Sequence, residues 1–256
     1  MQTTLPWKSV WITGAGRGIG KALALLCVQK GMTVYASSRT TLELNSLEDS
    51  CKHLAGVVIL VPLDITDTNQ LSSIVNNWEL ACGIPDLVIL NAGTHDPFTA
   101  QSFSAQRCKN LFDINLQGTI NCLDPVLKKM LLRNSGQIAV MSSVAGYRGL
   151  PTAAAYGASK AALINLCEAL KLDLVATNVK LQVINPGFVR TSLTAKNDFK
   201  MPAIIGPEAA AEIIFKGLLS SRFEIAFPGR FIYFLKLLRI LPYSWYFKLI
   251  GKNVNT

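Results

Sequence analysis

The chain has 256 residues, half of them hydrophobic, with 16% charged and a formal net charge of +9; it is long enough to bury a full core and too apolar to stay disordered. Six scattered cysteines (Cys27, Cys51, Cys82, Cys108, Cys122, Cys167) form no Cys-x-x-Cys, and the two histidines, His53 and His95, have no paired ligand spacing. A disulfide scaffold and a metal site are therefore not expected, and the cysteines read as small buried hydrophobes in a reducing compartment.

Met1 leads directly into the first apolar run without a signal-peptide pattern, so a cytoplasmic catalytic domain is expected. Short β-rich runs at 10–13, 33–36, 57–61, 87–90, 137–142, 181–185 and 224–227 alternate with helical patterns at 18–30, 41–53, 69–82, 104–133, 152–177 and 207–219. This alternation predicts an α/β fold: a three-layer, doubly wound parallel sheet of about seven strands in a single domain, residues 1–227. Its ligands should sit beyond the carboxyl ends of the strands.

Directly after the first strand comes Thr-Gly-Ala-Gly-Arg-Gly-Ile-Gly, residues 13–20. Glycines let the backbone approach a pyrophosphate, and free N–H groups at a helix N-terminus face its charge. Ile19 stands where the last glycine of Gly-x-Gly-x-x-Gly would fall, so the spacing that fits is Gly14-x-x-x-Gly18-x-Gly20, with Gly16, Arg17 and Ile19 between. The second strand runs into Ser38 and Arg39 without an acid to bind the ribose hydroxyls. Arg39 and Arg17 can instead neutralise a 2′-phosphate, so NADP(H) is expected over NAD(H); the competing view makes both arginines solvated surface charges. Asp64, followed by Ile65, either accepts from the adenine amino group or caps a turn.

Tyr156 and Lys160 are one helical turn apart in Tyr-Gly-Ala-Ser-Lys. A phenol titrates near ~10 and becomes a useful acid near neutrality only when a fixed cation stabilises its phenolate. Positions i and i+4 share a helix face, which permits that pairing.

These features together resemble the short-chain dehydrogenase/reductase family over residues 8–227. The resemblance is carried by Thr13-Gly14-x-x-x-Gly18-x-Gly20, Asp64, Asn91-Ala92-Gly93, Asn115, Ser142-Ser143, Tyr156-x-x-x-Lys160 and Asn185-Pro186-Gly187-x-Val189-x-Thr191. It implies a Rossmann-type fold and a tetrad. Tyr156 would exchange the proton; Lys160 would lower its pKa and bind the nicotinamide ribose. Ser143, thirteen residues before the tyrosine, would orient the reacting oxygen, with Ser142 the competing choice, and Asn115 would hold a water linking Lys160 to solvent, or serve as a buried helix hydrogen bond. Asn91, Ala92 and Gly93 would line the cofactor cleft or merely end the strand; Pro186, Gly187, Val189 and Thr191 would lie at its nicotinamide end. Residues 192–206 would form a substrate lid, its apolar lining supplied by 201–206. Dimers or tetramers are implied through the helices at 104–133 and 152–177.

The segment 228–256 departs from a compact member. From Arg222 onward six basic residues (Arg222, Arg230, Lys236, Arg239, Lys248, Lys252) face one acid, Glu224, amid bulky aliphatics, with Pro242 interrupting the pattern before an aromatic cluster of Tyr243, Trp245, Tyr246 and Phe247. None of this reaches the ~18–20 apolar residues of a membrane span. It either lies on an anionic membrane surface, which would make the protein peripheral, or packs against the substrate cleft or another subunit. Nucleic acid does not explain the charge. The sequence reading is an NADP(H)-dependent oxidoreductase for an apolar carbonyl or alcohol; the alternative is a membrane-peripheral NADP(H)-binding scaffold or redox sensor without turnover.

Overall fold

The computed structural model describes residues 5–81, 83–199 and 201–251; Cys82, the predicted end of the third helix, and the tail's Lys252 lie outside them. Seven strands form one sheet in the order β3-β2-β1-β4-β5-β6-β7, every pairing parallel. They are β1 (Ser9–Thr13), β2 (Thr33–Ser37), β3 (Val57–Leu60), β4 (Leu87–Leu90), β5 (Gly136–Met141), β6 (Val179–Pro186) and β7 (Glu224–Phe227). The expected doubly wound sheet is present, and each strand falls within two residues of its predicted bounds.

Alternation along the strands builds two cores. Val10 and Ile12 of β1 face α1 (Gly18–Gln29), α2 (Thr41–Cys51) and α7 (Pro207–Leu219), packing with Leu23, Leu44 and Ile214. Trp11 points the other way, toward α3 (Thr68–Ala81), α5 (Gly118–Leu132) and α6 (Ala154–Asp173), where Trp78, Val126 and Leu163 cover it. Because helices close both faces, β4 is buried at every position, which is why its sequence is an unbroken apolar run. Cys27, Cys51, Cys122 and Cys167 are buried, and burial pushes the Cys27, Cys122 and Cys167 thiols up to about 12.

The single helix predicted at 104–133 is three pieces: α4 (Ala105–Phe112), a π-helical segment (Asp113–Gln117) and α5. The wide turn carries Asn115 fully buried and aims its amide at the backbone of Thr94, a long-range bond that periodicity does not report.

The tail forms α8 (Gly229–Ile240) and α9 (Tyr243–Gly251), broken at Pro242 as expected. Ile232, Leu235, Leu238 and Tyr246 pack into the core, while Tyr233, Ile240, Tyr243 and Trp245 remain exposed. Among the described residues no helix is long and apolar enough to cross a membrane. The docking depends on Arg148, which donates to the carbonyls of Leu238, Arg239 and Leu241 and lays its guanidinium over the rings of Tyr243 and Tyr246, 5.0 and 4.1 Å from their centroids. Tyr246 in turn donates its hydroxyl to Gly149 O.

Arg148→Ala removes a charged donor from three carbonyls and should lower stability by about 2 kcal/mol. A urea midpoint unchanged from wild type would show that α8 and α9 dock without it.

Candidate active site

The strand order reverses between β1 and β4, and the cleft opens at their carboxyl ends. Asn91, just past β4, donates its side-chain amide to Thr13 O (3.0 Å) and Gly14 O (3.1 Å), while its own N–H and that of Ala92 donate to Thr13 Oγ1. This lacing brings the glycine turn so close that a Cβ on Gly14 would lie 2.9 Å from Ala92 Cα, and one on Gly20 only 2.1 Å from Gly14 O. Gly14 also sits at φ +67°, a conformation side chains disfavour. Arg17, at the N-cap of α1, makes no side-chain capping bond, so the N–H groups of the first turn remain for a ligand. Gly14, Gly18, Ile19 and Gly20 line the cleft, and across it the Thr191 methyl would meet a Cβ on Gly18 at 3.1 Å. A narrow, Cβ-free turn opening a helix fits a dinucleotide pyrophosphate.

At the other end of this groove stand Arg17, Ser38, Arg39, Asp64 and Ile65. Asp64 lines the cleft, and its Oδ1 accepts from Thr66 N (2.9 Å) and Thr66 Oγ1 (2.8 Å), the turn-capping role. Burial pushes its pKa up, but the Thr66 bonds and the Arg39 guanidinium outweigh that and hold it below the usual carboxylate range. Gly16 is packed closely beside Glu43 and Ser38, so that a Cβ there would lie 2.6 Å from Glu43 Oε2. Glu43 was missed, since it lies in the first turn of α2 and only the fold brings it to the groove.

Ser143, Tyr156 and Lys160 meet where the groove ends, near the carboxyl ends of β5 and β6. Lys160 is 3% exposed, its Nζ donating to Met141 O (2.9 Å) and lying 5.8 Å from the Tyr156 ring centroid. Burial lowers its pKa to about 8. Burial raises the pKa of Tyr156, and the group that opposes the rise is Ser143 through a hydrogen bond, not the lysine. Ser142 is otherwise engaged, donating to Lys160 O (2.8 Å) and pinning α6 to the end of β5. Ser143 is therefore the serine beside the phenol.

Asn115 makes the buried structural hydrogen bonds that were one of its two expected roles. It stands behind the cleft wall, its Oδ1 accepting from Thr94 N (2.7 Å) and its Nδ2 donating to Thr94 O (2.9 Å) and Ser159 Oγ (3.3 Å). Those bonds fix the strand-end turn at Gly93, where an added Cβ would come within 3.2 Å of Asn115 Oδ1. Ala92, Gly93, Pro186, Gly187, Val189 and Thr191 line the cleft as predicted.

A second, apolar pocket shares Ser143 and Tyr156 with the groove and is walled by Leu150, Pro151, Phe188, Leu193 and Phe199. Of the segment 192–206, Leu193 and Phe199 face this pocket, whereas Ile205 bridges to Val189 and packs on the core. His95, unassigned by sequence, packs edge-on against Tyr156 at 4.7 Å with Nε2 3.1 Å from Asn197 Oδ1 of the lid. Burial lowers its pKa and Lys196 adds to this, against the Asn197 bond and the Asp96 carboxylate.

Comparison with known proteins agrees with this geometry. A family model described as short chain dehydrogenase matches residues 8–201. The chain belongs to the short-chain dehydrogenase family. This dehydrogenase is 34% identical over 238 residues to an uncharacterized oxidoreductase of Myxococcus xanthus, covering 93% of this chain and 94% of that protein. It is 32% identical over 227 residues to ketoacyl reductase HetN of a Nostoc species, covering 87% and 79%. A short-chain dehydrogenase/reductase of Burkholderia phymatum, solved with NAD, shares the fold at a TM-score of 0.82 and 24% identity, covering 90% and 92%. The family uses nicotinamide cofactors and acts on small molecules.

In this dehydrogenase Gly20→Ala drives a methyl into Gly14 O and should cost upwards of about 2 kcal/mol, with loss of dinucleotide binding. Gly229→Ala, with nothing within 4 Å of its Cβ, should stay within about 0.5 kcal/mol. Thermal unfolding and dinucleotide titration check both, and equal tolerance would contradict the close-approach argument.

Proposed function

We propose that this dehydrogenase interconverts an apolar ketone and its secondary alcohol with NADP(H), Tyr156 exchanging the proton. The carrying observation is that Ser143 and Tyr156 belong to both the glycine-bordered groove and the apolar pocket, so a carbonyl in the pocket reaches a phenol at the groove's end. The nicotinamide dinucleotide supplies or receives the hydride. In reduction the Tyr156 hydroxyl gives its proton to the carbonyl oxygen and is left as phenolate, while Ser143 donates a hydrogen bond to the same oxygen. Lys160, with a pKa near 8, is mostly an ammonium at neutral pH and favours the phenolate as it forms.

NADP(H) is favoured over NAD(H) by Arg39 and Arg17 at the groove's distal end, where they can meet a 2′-phosphate. An apolar, acyl- or lipid-like substrate is favoured by the walls of the second pocket and by the likeness to a ketoacyl reductase. The outer faces of α8 and α9, with exposed Tyr233, Tyr243, Trp245 and Phe247 beside basic Lys236, Arg239 and Lys248, suit peripheral contact with an anionic membrane surface. Pairing of copies through α5 and α6 completes the proposal.

NADPH consumption across ketones of graded chain length, with and without anionic vesicles, tests the reading. Activity should rise with chain length, and Tyr156→Phe should cut turnover by roughly a thousandfold while NADPH still binds. Parallel loss of binding and turnover would make Tyr156 structural; absence of turnover on every ketone by NADPH-bound protein would favour a sensor. Arg39→Asp should weaken NADPH far more than NADH, and an unchanged ratio would reject the phosphate assignment.

A further inference from the structure

The groove's distal end holds a carboxylate that none of the roles above uses. Glu43 lies so close to the glycine turn that a Cβ on Gly16 would sit 2.6 Å from its Oε2 and 2.7 Å from its Cβ. Its Oε2 accepts from Ser38 Oγ at 3.3 Å, and its Oε1 is 3.4 Å from Arg17 Nη1. It belongs to the first turn of α2, whose N-cap, Thr40, makes no side-chain capping bond, so the positive end of the helix faces it as well. Three features that attract an anion, an arginine, a serine hydroxyl and a helix N-terminus, converge on a side chain of the protein itself. Arg39 is held more loosely. The two side chains are similarly exposed, 58% for Arg39 and 61% for Arg17, but Arg39 Nη1 is 3.8 Å from Asp64 Oδ2, and Asp64 spends its other oxygen on Thr66.

We propose that Glu43 is a specificity-determining residue, a resident anion that occupies Arg17 and Ser38 and so limits the advantage of NADPH over NADH. The inference rests on the dinucleotide reading above. A 2′-phosphate carries close to two negative charges at neutral pH; to use Arg17 or Ser38 it must displace Glu43, and if it leaves Glu43 in place it is repelled. A ribose 2′-hydroxyl suffers neither penalty, because a carboxylate accepts its proton in a hydrogen bond. Glu43 therefore pulls toward NADH and Arg39 toward NADPH. The missing acid at the end of β2 is replaced in space by one six residues further along.

The test is calorimetric titration of the full chain with NADPH and with NADH, a readout that needs no substrate. Glu43→Gln keeps the size and one acceptor but removes the charge; it should tighten NADPH by roughly tenfold while NADH stays within about twofold. Arg17→Ala should weaken NADPH in both backgrounds, and by several-fold more in Glu43→Gln, where the guanidinium no longer shares its charge with Glu43. Non-additivity of that kind supports the proposal. An NADPH-to-NADH ratio unchanged by Glu43→Gln, or NADPH weakened by it, overturns the proposal and leaves the oxidoreductase reading standing. Failure of wild type to bind either dinucleotide rejects both.

Discussion

Lys160 is buried at 3% exposure beneath the end of β5, and the rest of the site is placed relative to it. Its ammonium is held by Met141 O, and its own carbonyl accepts from Ser142 Oγ. These two bonds, in opposite directions, fasten α6 to the strand end. Ser143 follows Ser142 and Tyr156 precedes Lys160 by one turn, so the same fastening brings the hydroxyl and the phenol together. The short turn after Ser143 packs tightly enough that a Cβ on Gly146 would lie 2.7 Å from Lys160 C. A buried cation is unfavourable unless its surroundings serve some use, and its lowered pKa records that cost.

The balance between burial and charge also governs Tyr156. A phenol removed from water resists ionisation, and a lysine 5.8 Å from its ring centroid, itself depressed by burial, does not reverse that. The nearer influence is Ser143. Among the groups around the phenol, the Ser143 hydrogen bond is the one that favours its ionised form. His95 and Asn197 close the site from the lid side.

Much of this was legible in the sequence, because the relevant signals are local. Strands covered on both faces read as apolar runs, and the glycine spacing, the Tyr-Lys interval and the serine pair are short motifs whose geometry is set by one turn or one helix. What stayed hidden depends on contacts between distant segments. Glu43 is only an ordinary helix acid until α2 folds back on the glycine turn and sets it beside Gly16. Asn115 leaves regular helical geometry because Thr94 claims its amide. The tail's apolar and basic pattern gave no hint that Arg148, some ninety residues away, would clasp three of its carbonyls. Likewise Ile205 reads as lid lining, whereas its bridge to Val189 turns it into the core.

The central claim is that burial beside the phenol, at the end of the groove, holds the Lys160 ammonium well below its ordinary pKa. The most direct measurement is the titration of its ε-nitrogen by 15N NMR in lysine-labelled protein, with Lys160→Met to assign the resonance. The account predicts a midpoint near 8. A midpoint at the ordinary lysine value of about 10.4 would contradict it, because the ammonium would then be solvated and the phenol without its partner.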